Sequence, residues 1–574
     1  MRAWKSLLVV VLTSAASCVQ VLGGDNPYNE EEPGGAGGMA SAVGSGGTGG
    51  AGGYAGGSSS SSTGGGGGAG GGGVSCTPGE TRPCYAGPAG TEGVGNCKAG
   101  VETCGDDGMA WGICANEVMP EPVEDCAIVG DEDCDGIDGC TGAPLEAFTP
   151  AGETMGSMDE AIYDVAITPD GGYVVAGVVK TALGGDFFGL TGGAAYVAKI
   201  GADGALVWEK DFPSTVAIAR GVAVSNTGDV VLLGEFTGTV NFGGNDLVTP
   251  DQSGDIFLVK LDAAGAHVWS ERYGATGTQS GQDVAVDDAG NVYITGGVYA
   301  DPVSLGGATV DPFYDDVFVA SYGPTGNHRW SHIFVNNGEQ RGRRIVVTPD
   351  GSRVAIIGAT DDDTNLGGGE MPDGMGEDVV VGVYNGADGT HAWSKLFGGN
   401  GDQRYGSVAF APNGNVLVTG RFSEAIDFGG GAMMAPMGTT SMYVAELAAA
   451  DGGHLRSRRF GITGTTRGTA IAADDAGNVV VVGHFDGTVD FGGAVVTASG
   501  WDVFVAKFSP ENWTHLWTRQ LGGQGNQFGW NMAIDAKGNA VVGGGFYDQL
   551  VVGAPLPIVT STGGADLFAV RLSP

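Results

Sequence analysis

Four carboxylates in one short acidic loop have the type and spacing of metal ligands. They are Asp131, Asp133, Asp135 and Asp138. Alternate carboxylates followed by a glycine, here Gly136, allow a chain to wrap hard oxygen ligands around Ca²⁺. A helix–loop–helix site is not expected, because position twelve of the loop is Gly142 rather than Glu and no helical pattern flanks it. The loop predicts either weak calcium binding of the extracellular class or a solvated turn between disulfides.

A second candidate set is basic and aromatic, in a chain with 26 basic and 66 acidic residues and a net charge of −40. These residues stand seven or eight positions before a recurring turn glycine: Tyr163, Arg220, Gln282, Arg343, Arg344 and Trp530. Arg341, Arg404 and Arg467 stand close by. Guanidinium forks match carboxylates, so the set predicts binding of a carboxylate-bearing or sugar-like ligand. The alternative is that these arginines pair with neighbouring carboxylates.

Asp164 and Asp283 are the only carboxylates in the same positions, and they are the basis of an enzymatic alternative. A polysaccharide lyase or hydrolase would need an acid–base group there, but no partner base is identifiable. The propeller region has no GxSxG elbow and no HExxH pair. We therefore predict no catalytic residue.

Five histidines and five tryptophans recur with the same spacing, which predicts a structural role. The histidines are His267, His328, His391, His454 and His515, and the tryptophans are Trp208, Trp269, Trp330, Trp393 and Trp517. A catalytic group is needed once, whereas these side chains return in copy after copy. We expect the tryptophans to pack between repeats. Arg456 takes the tryptophan position in one copy.

The element that positions all of these residues is a repeat present seven times. Its turn glycines are Gly171, Gly228, Gly290, Gly351, Gly414, Gly477 and Gly538, spaced 57 to 63 residues apart. Each copy has four short β signals bounded by Gly, Asn and Asp, and no segment after Cys140 shows a sustained helical period. The sequence predicts an all-β, seven-bladed β-propeller with four antiparallel strands per blade.

The ring is expected to close by pairing the two ends of the repeat region. The last copy ends at 566–572 without a fourth strand, whereas the apolar segment 144–148 precedes the first copy. We predict that this segment is the outer strand of the seventh blade, which removes exposed edges.

The loops of the predicted propeller are unequal. Connections between strands one and two and between strands three and four are tight turns, such as 287–291 and 262–265. The other two connections are long and irregular, especially 181–195 and 361–378. Because all long loops lie at one end, we expect binding residues there, around the mouth of the central channel.

The sequence of the repeat resembles the seven-bladed beta-propeller repeat family of large secreted bacterial proteins. WDVFVAKF (501–508), SGDIFLVKLDAAG (253–265) and DDAGNVYITGG (287–297) carry the resemblance, which covers residues 143–574. It implies the fold and is nearly silent on function, since propellers include enzymes, lectins and scaffolds.

The N-terminal part predicts export. Residues 1–17 read as a signal peptide, with Arg2 and Lys5 followed by a short apolar run. Cys18 follows Ala-Ala-Ser, as at a lipoprotein processing site, and the alternative is ordinary cleavage nearby. Residues 18–75 are a Gly/Ser-rich linker whose composition predicts disorder.

All other cysteines lie in one module at residues 76–142. They are Cys76, Cys84, Cys97, Cys104, Cys114, Cys126, Cys134 and Cys140. An even set in a small exported module predicts four disulfides, whose pairing cannot be deduced from spacing. The stretch also resembles the metal-binding, MopE-like Cys-rich modules of secreted bacterial proteins, which implies Ca²⁺ at its acidic loop.

We therefore expect an exported, monomeric lipoprotein at the cell envelope, or else an extracellular protein, that presents a propeller face to an extracellular glycan or protein. Membrane contact is expected only through the lipid. The negative charge argues against nucleic acid as a partner.

Overall fold

The computed structural model describes residues 76–87, 91–93, 97–119, 141–149, 158–182, 193–299, 301–372, 376–561 and 564–574. Two units are present, one containing residues 76–119 and one containing residues 141–574. In these ranges no helix has the length and apolar character needed to cross a membrane. The expected signal peptide, Cys18, the linker and the carboxylates from Asp131 to Asp138 lie outside the described residues.

The Cys-rich unit contains one small antiparallel sheet, β1 (Thr81–Cys84) and β2 (Gly100–Thr103). Two disulfides, Cys76–Cys104 and Cys84–Cys114, join its segments. Cys97 is also disulfide-bonded. Disulfide bonding is thus confirmed for five of the eight predicted cysteines, and Cys126, Cys134 and Cys140 lie outside the described residues.

Seven four-stranded antiparallel sheets form the second unit, one for each copy of the repeat. Blade 1 consists of β4 (Met158–Ile167), β5 (Tyr173–Ala182), β6 (Gly193–Ile200) and β7 (Leu206–Ser214). Blade 2 consists of β8 (Val216–Val224), β9 (Val230–Thr237), β12 (Asp255–Leu261) and β13 (His267–Tyr273). Blade 3 consists of β14 (Gln279–Val286), β15 (Val292–Tyr299), β16 (Asp315–Tyr322) and β17 (His328–Ile333). Blade 4 consists of β18 (Gln340–Val347), β19 (Arg353–Thr360), β20 (Asp378–Asn385) and β21 (His391–Phe397).

The remaining blades repeat the pattern. Blade 5 consists of β22 (Gln403–Phe410), β23 (Val416–Ser423), β26 (Thr440–Leu447) and β27 (His454–Phe460). Blade 6 consists of β28 (Thr466–Ala473), β29 (Val479–Val489), β30 (Val496–Phe508) and β31 (His515–Leu521). Blade 7 consists of β32 (Gln527–Ile534), β33 (Ala540–Phe546), β36 (Asp566–Leu572) and β3 (Pro144–Phe148). Short hairpins in the second connection are β10 (Thr239–Val240) with β11 (Leu247–Val248), β24 (Ala425–Ile426) with β25 (Met433–Met434), and β34 (Gln549–Leu550) with β35 (Val559–Thr560).

The predicted closure is confirmed by the position of β3. It pairs antiparallel with β36, with Glu146 opposite Arg571 and Phe148 opposite Ala569. The first strand of each blade contacts the first strands of its two neighbours, and β32 contacts β4. The seven first strands, called the inner strands below, therefore form a closed ring.

The repeated glycines are needed for the tight turns. All seven turn glycines have positive φ values, from 67° at Gly351 to 84° at Gly228. L-residues with a side chain rarely adopt this region, so glycine recurs wherever strand one turns into strand two.

The hydrophobic core lies between neighbouring blades. One cluster joins Val174 and Val197 of blade 1 to Leu232 and Phe257 of blade 2. The third strand of blade 2 is buried along its whole length, which explains its nearly unbroken apolar sequence. Each blade thus stabilises the next.

The repeated tryptophans join successive blades, as predicted. Each indole donates to a backbone carbonyl one blade further, at 2.9 to 3.2 Å: Trp208 to Ala263, Trp269 to Pro324, Trp330 to Gly386, Trp393 to Ala449 and Trp517 to Pro574. Arg456 makes the equivalent contact, donating to the carbonyl of Glu511 at 2.8 Å. In blade 7 the equivalent position is Glu146, because it lies opposite Arg571 as Trp208 lies opposite Lys199.

The repeated histidines pack within their own blades. An added Cβ at Gly430 would lie 2.2 Å from the His454 ring, and the other four histidines contact equivalent glycines. The Nε2 of His454 also lies 3.1 Å from the Ser457 hydroxyl. Each histidine therefore anchors the second connection of its blade, and the predicted structural role is confirmed.

Candidate ligand site at the channel mouth

Every inner strand has a β-bulge at the same place. The bulged residue, which has no partner in strand two, is Tyr163, Arg220, Gln282, Arg343, Gly406, Thr469 or Trp530. A bulge redirects a side chain and increases the local twist. The positions singled out by sequence are therefore seven equivalent bulges around one ring.

Most of the predicted ligand residues contact each other. The Tyr163 and Trp530 rings lie 5.3 Å apart, and both side chains are buried. The Arg220 guanidinium stacks over the Tyr163 ring at 5.1 Å and forms a 2.7 Å ion pair with Glu235. These contacts make this side of the ring part of the protein core.

Glu235 is the anion that accompanies Arg220. Burial alone would raise the pKa of Glu235, but the Arg220 guanidinium and a hydrogen bond from Ser280 hold it below its ordinary value. Between blades 3 and 4, the Arg343 guanidinium of blade 4 donates to the side-chain oxygen of Gln282 in blade 3 at 2.6 Å. Arg220 and Arg343 are thus held by residues of the ring itself.

Two buried carboxylates join the inner strands. Asp164 accepts hydrogen bonds from the amide of Val222 at 2.6 Å and from the side chain of Asn531. Asp283 accepts the amide of Ile345 at 2.8 Å. Each carboxylate therefore connects its own blade to the next blade, and Asp164 also contacts blade 7.

Arg344 supplies the positive charge for this pair. Its guanidinium lies 3.6 Å from Asp283. Burial and then the Asp283 carboxylate raise the pKa of Asp164, whereas Arg344 acts in the opposite direction. Burial also raises the pKa of Asp283, again opposed by Arg344. The internal-pairing alternative therefore describes Arg344.

A second tier of side chains stands two residues before the bulges and is more accessible. It contains Arg341, Arg404 and Arg467, in three consecutive blades. Arg404 lies opposite Arg421 in the strand register, and Arg467 lies opposite His484. We call Arg404, Arg421, Arg467 and His484 the basic sector.

Positive charges act on one another within the basic sector. Burial and then the Arg467 guanidinium lower the pKa of Arg421, although an arginine stays protonated at neutral pH. Burial, Arg467 and Arg421 together lower the pKa of His484 well below its ordinary value. Arg404 also forms a 2.7 Å ion pair with Glu377, and its side chain keeps 32% exposure.

An aromatic wall adjoins the basic sector. The Arg467 guanidinium lies 4.5 Å from the Trp501 ring centroid. His484 contacts both Trp501 and Phe528 edge-on at 5.2 Å, and Phe528 stacks parallel to Trp530. Guanidinium groups beside flat rings can bind carboxylate and pyranose groups together.

Sequence reasoning missed Glu235, Arg421 and His484 as site residues. Each directly follows the glycine in the middle of its second strand, a position that holds Val178, Gly297, Ala359 or Gly545 in the other blades. Because this position varies next to a repeated glycine, it could have been identified from the sequence as a candidate site position. No group of three or more His, Cys, Asp or Glu suited to a metal occurs within the described ranges.

One family model and several solved structures are similar to parts of this chain. Residues 268–296 match the family model SBBP, beta-propeller repeat. Comparison with curated proteins gives no match. Similar solved structures include the Dos1 propeller (9% identity, TM-score 0.37, covering 75% of this chain and 95% of that one) and BamB from Moraxella catarrhalis (11%, 0.34, 75% and 99%). Sqt1 from Chaetomium thermophilum is another (12%, 0.36, 73% and 98%).

The family match lies in one repeat, and the fold repeats that unit seven times. Propellers of this kind support binding or scaffold roles in general. The chain thus contains a seven-bladed β-propeller, one repeat of which matches the SBBP beta-propeller repeat model, and a disulfide-bonded, Cys-rich module.

Proposed function

We propose that this protein is a surface-anchored lipoprotein whose propeller binds an acidic extracellular glycan at the basic sector of its channel mouth. The observation that carries the proposal is the register of Arg404 with Arg421, beside Arg467 in the next blade. The Arg421 and Arg467 guanidinium groups act on each other there, and Arg404 lies opposite Arg421 in the register, in a chain of net charge −40. An accumulation of one charge sign raises the local concentration of oppositely charged ligands.

The chemistry of the sector favours an acidic glycan over other extracellular ligands. Guanidinium forks bind carboxylates and sulfates through two parallel hydrogen bonds. Trp501 beside Arg467 offers a flat apolar face, against which a sugar ring packs. The negative charge of the chain as a whole would oppose any polyanion that did not reach this sector.

The buried carboxylates support a structural role better than a catalytic one. Asp164 and Asp283 accept amide hydrogen bonds from the inner strand of the next blade, so their oxygens are engaged in holding the ring. A general acid must reach its substrate within hydrogen-bond distance. We therefore propose a binding protein and assign no catalytic residue.

The test is a binding screen of the full exported chain against acidic polysaccharides, including uronic-acid and sulfated types. We expect binding that weakens as salt is raised. Arg404→Gln and Arg467→Gln should each reduce affinity about tenfold or more, since a hydrogen bond to a charged group contributes about 1.5–3 kcal/mol.

Arg353→Gln is the matched control, because Arg353 begins strand two of blade 4 and thus lies at the tight-turn end. It removes one positive charge and should leave binding unchanged. Binding that survives both sector variants would contradict the proposed site. Binding to acidic peptides but to no glycan would contradict the ligand class.

The anchor and the metal are further parts of the proposal. Lipidation at Cys18 predicts that Cys18→Ser moves the protein from the membrane fraction to the soluble fraction, with loss of acyl mass at the N-terminus. Calcium at the loop from Asp131 to Asp138 predicts heat of binding at millimolar Ca²⁺, lost in Asp133→Asn with Asp135→Asn. A parent chain without such heat would remove the calcium assignment.

A further inference from the structure

A groove lies between the long loops of blades 3 and 4, on the same face as the channel mouth. Its volume is about 540 Å³. It is lined by the loop before β16, the connection between β17 and β18, and the loop after β19. None of the bulged residues or basic-sector residues lines it. We propose that this groove binds a neutral saccharide.

Exposed aromatic and apolar side chains form one part of the groove. Phe313 is 76% exposed, Tyr314 is 47% exposed and Val335 is 43% exposed. A Phe-Tyr pair occurs at this place in no other copy of the repeat. Leaving such side chains in water is unfavourable, so contiguous exposed rings indicate a binding surface. Ring faces suit the C–H faces of pyranose sugars.

Asn336 makes the floor of the groove rigid. Its side-chain oxygen accepts the amide of Asn365 at 2.9 Å, and its side-chain nitrogen donates to the carbonyl of Phe334 at 2.9 Å. Its own amide donates to Asp316 at 3.0 Å. This residue therefore ties the connection after β17 to the loop after β19. A preformed site loses less entropy when a ligand binds.

The polar side chains around the groove select against acidic ligands. Asn337, Asp363 and Glu370 are exposed at its edge, and none of the described lining residues is basic. Carboxylate and amide oxygens accept hydrogen bonds from sugar hydroxyl groups. The two carboxylates repel uronic acids and sulfates, so a neutral saccharide fits where the acidic glycan of the basic sector does not.

The groove differs from the basic sector in both ligand and location. The two proposals are therefore independent. A groove variant should lose neutral saccharide binding and keep acidic glycan binding. Arg404→Gln should lose acidic glycan binding and keep neutral saccharide binding, so the two sites can be tested separately.

The experiment is ligand-observed NMR and calorimetry of the full exported chain with a panel of neutral oligosaccharides of glucose, galactose and mannose. We expect at least one to bind. Phe313→Ala and Tyr314→Ala should each weaken it about tenfold, because each removes a stacking surface. Both variants should melt like the parent, since neither side chain is buried.

Met437→Ala is the matched control, because Met437 is a fully exposed apolar side chain in the second connection of blade 5. It should bind like the parent. The inference is overturned if no neutral oligosaccharide binds at millimolar concentration, or if Phe313→Ala and Tyr314→Ala bind unchanged. Binding of a basic peptide alone, lost in these variants, would also overturn the saccharide assignment.

Discussion

The Nη2 of Arg344 in blade 4 lies 3.4 Å from the carbonyl oxygen of Trp530 in blade 7. These blades stand on opposite sides of the ring, so one side chain spans the channel. The same guanidinium lies beside Asp283, and its charge also acts on Asp164. A single cation therefore acts on two buried carboxylates and contacts the inner strands of two other blades.

Removing this cation should destabilise the whole ring. We expect Arg344→Ala to lower the free energy of unfolding by about 3–5 kcal/mol, because it removes the 3.6 Å ion pair of the buried Asp283 carboxylate. Urea denaturation measures the loss. Arg353→Ala, which removes a charge at the tight-turn end, is the control.

A double-mutant cycle shows whether the Asp283 carboxylate accounts for the stability loss of Arg344→Ala. Asp283→Ala with Arg344→Ala should cost less than the sum of the single changes. Additive losses, or an Arg344→Ala variant as stable as the parent, would show that the ion pair does not hold the ring.

The seven blades could be predicted because their determinants are local and repeated. A turn glycine such as Gly290, a tryptophan such as Trp269 and a histidine such as His267 each return at the same spacing. Closure by β3 was also predictable from a missing fourth strand. The register of β3 with β36 could not be predicted from the repeat, because Glu146 rather than an aromatic residue takes the tryptophan position.

Pairing of β3 with β36 should contribute to the stability of the propeller. Phe148 is buried against the last blade, so Phe148→Ala should cost about 3–5 kcal/mol. Deleting residues 144–148 should lower the melting temperature further, because it exposes the edge of β36. Differential scanning calorimetry measures both. Leu206→Ala, at an exposed position in the outer strand of blade 1, is the control, and a deletion that melts like the parent would argue against closure.

The packing of histidine on glycine can be tested at Gly430 and His454. Gly430 is not in a left-handed conformation, and the three atoms nearest to an added Cβ all belong to the His454 ring. We expect Gly430→Ala to cost about 1–3 kcal/mol as overpacking. The cost should largely vanish when His454→Ala is also present.

Gly254→Ala provides the comparison, because the nearest atom to its added Cβ lies 3.9 Å away. It should be close to neutral. An equal cost of Gly430→Ala with and without His454 would show that the ring is not what the glycine accommodates.

The site was harder to predict than the fold, because pairing across the ring does not follow from local spacing. Arg344 and Trp530 are 186 residues apart in the chain. The bulge positions were found because they vary where their neighbours repeat. Whether an arginine near a bulge is buried, as Arg344 is, or keeps partial exposure, as Arg404 does, depends on how the neighbouring blades pack around it.

His484 predicts a specific pH dependence. Its folded-state pKa lies well below the ordinary 6.5, mainly through burial and then through Arg467. The unfolded chain therefore takes up a proton first as pH falls. The contribution of His484 to the free energy of unfolding is therefore fully present above about pH 6.5. Below that pH the free energy of unfolding decreases, by up to about 1.4 kcal/mol per pH unit for this one group.

His484→Gln keeps a donor for the Gly529 carbonyl and does not titrate in this range. The stability difference between parent and variant should therefore narrow or reverse as pH is lowered from 7 to 5. Unfolding curves at four or five pH values measure it. Parallel pH profiles for the two proteins would contradict a neutral, buried His484.

The disulfides of the Cys-rich module complete the set of predictions. Cys97 is disulfide-bonded, and four other cysteines are taken by the bonds Cys76–Cys104 and Cys84–Cys114. If Cys18 is acylated, the partner of Cys97 is Cys126, Cys134 or Cys140. Peptide mapping without reduction should show four bonds and no free thiol.

Removing one bond should loosen the module alone. Cys84 and Cys114 are 30 residues apart, so their joint replacement by serine should cost about 3–4 kcal/mol of module stability. Limited proteolysis should then cut within residues 76–119 while the propeller stays intact. A free thiol in the module would contradict the prediction of four disulfides. A Cys18–Cys97 peptide would also contradict the lipid anchor, because a lipidated Cys18 has no sulfur left for a disulfide.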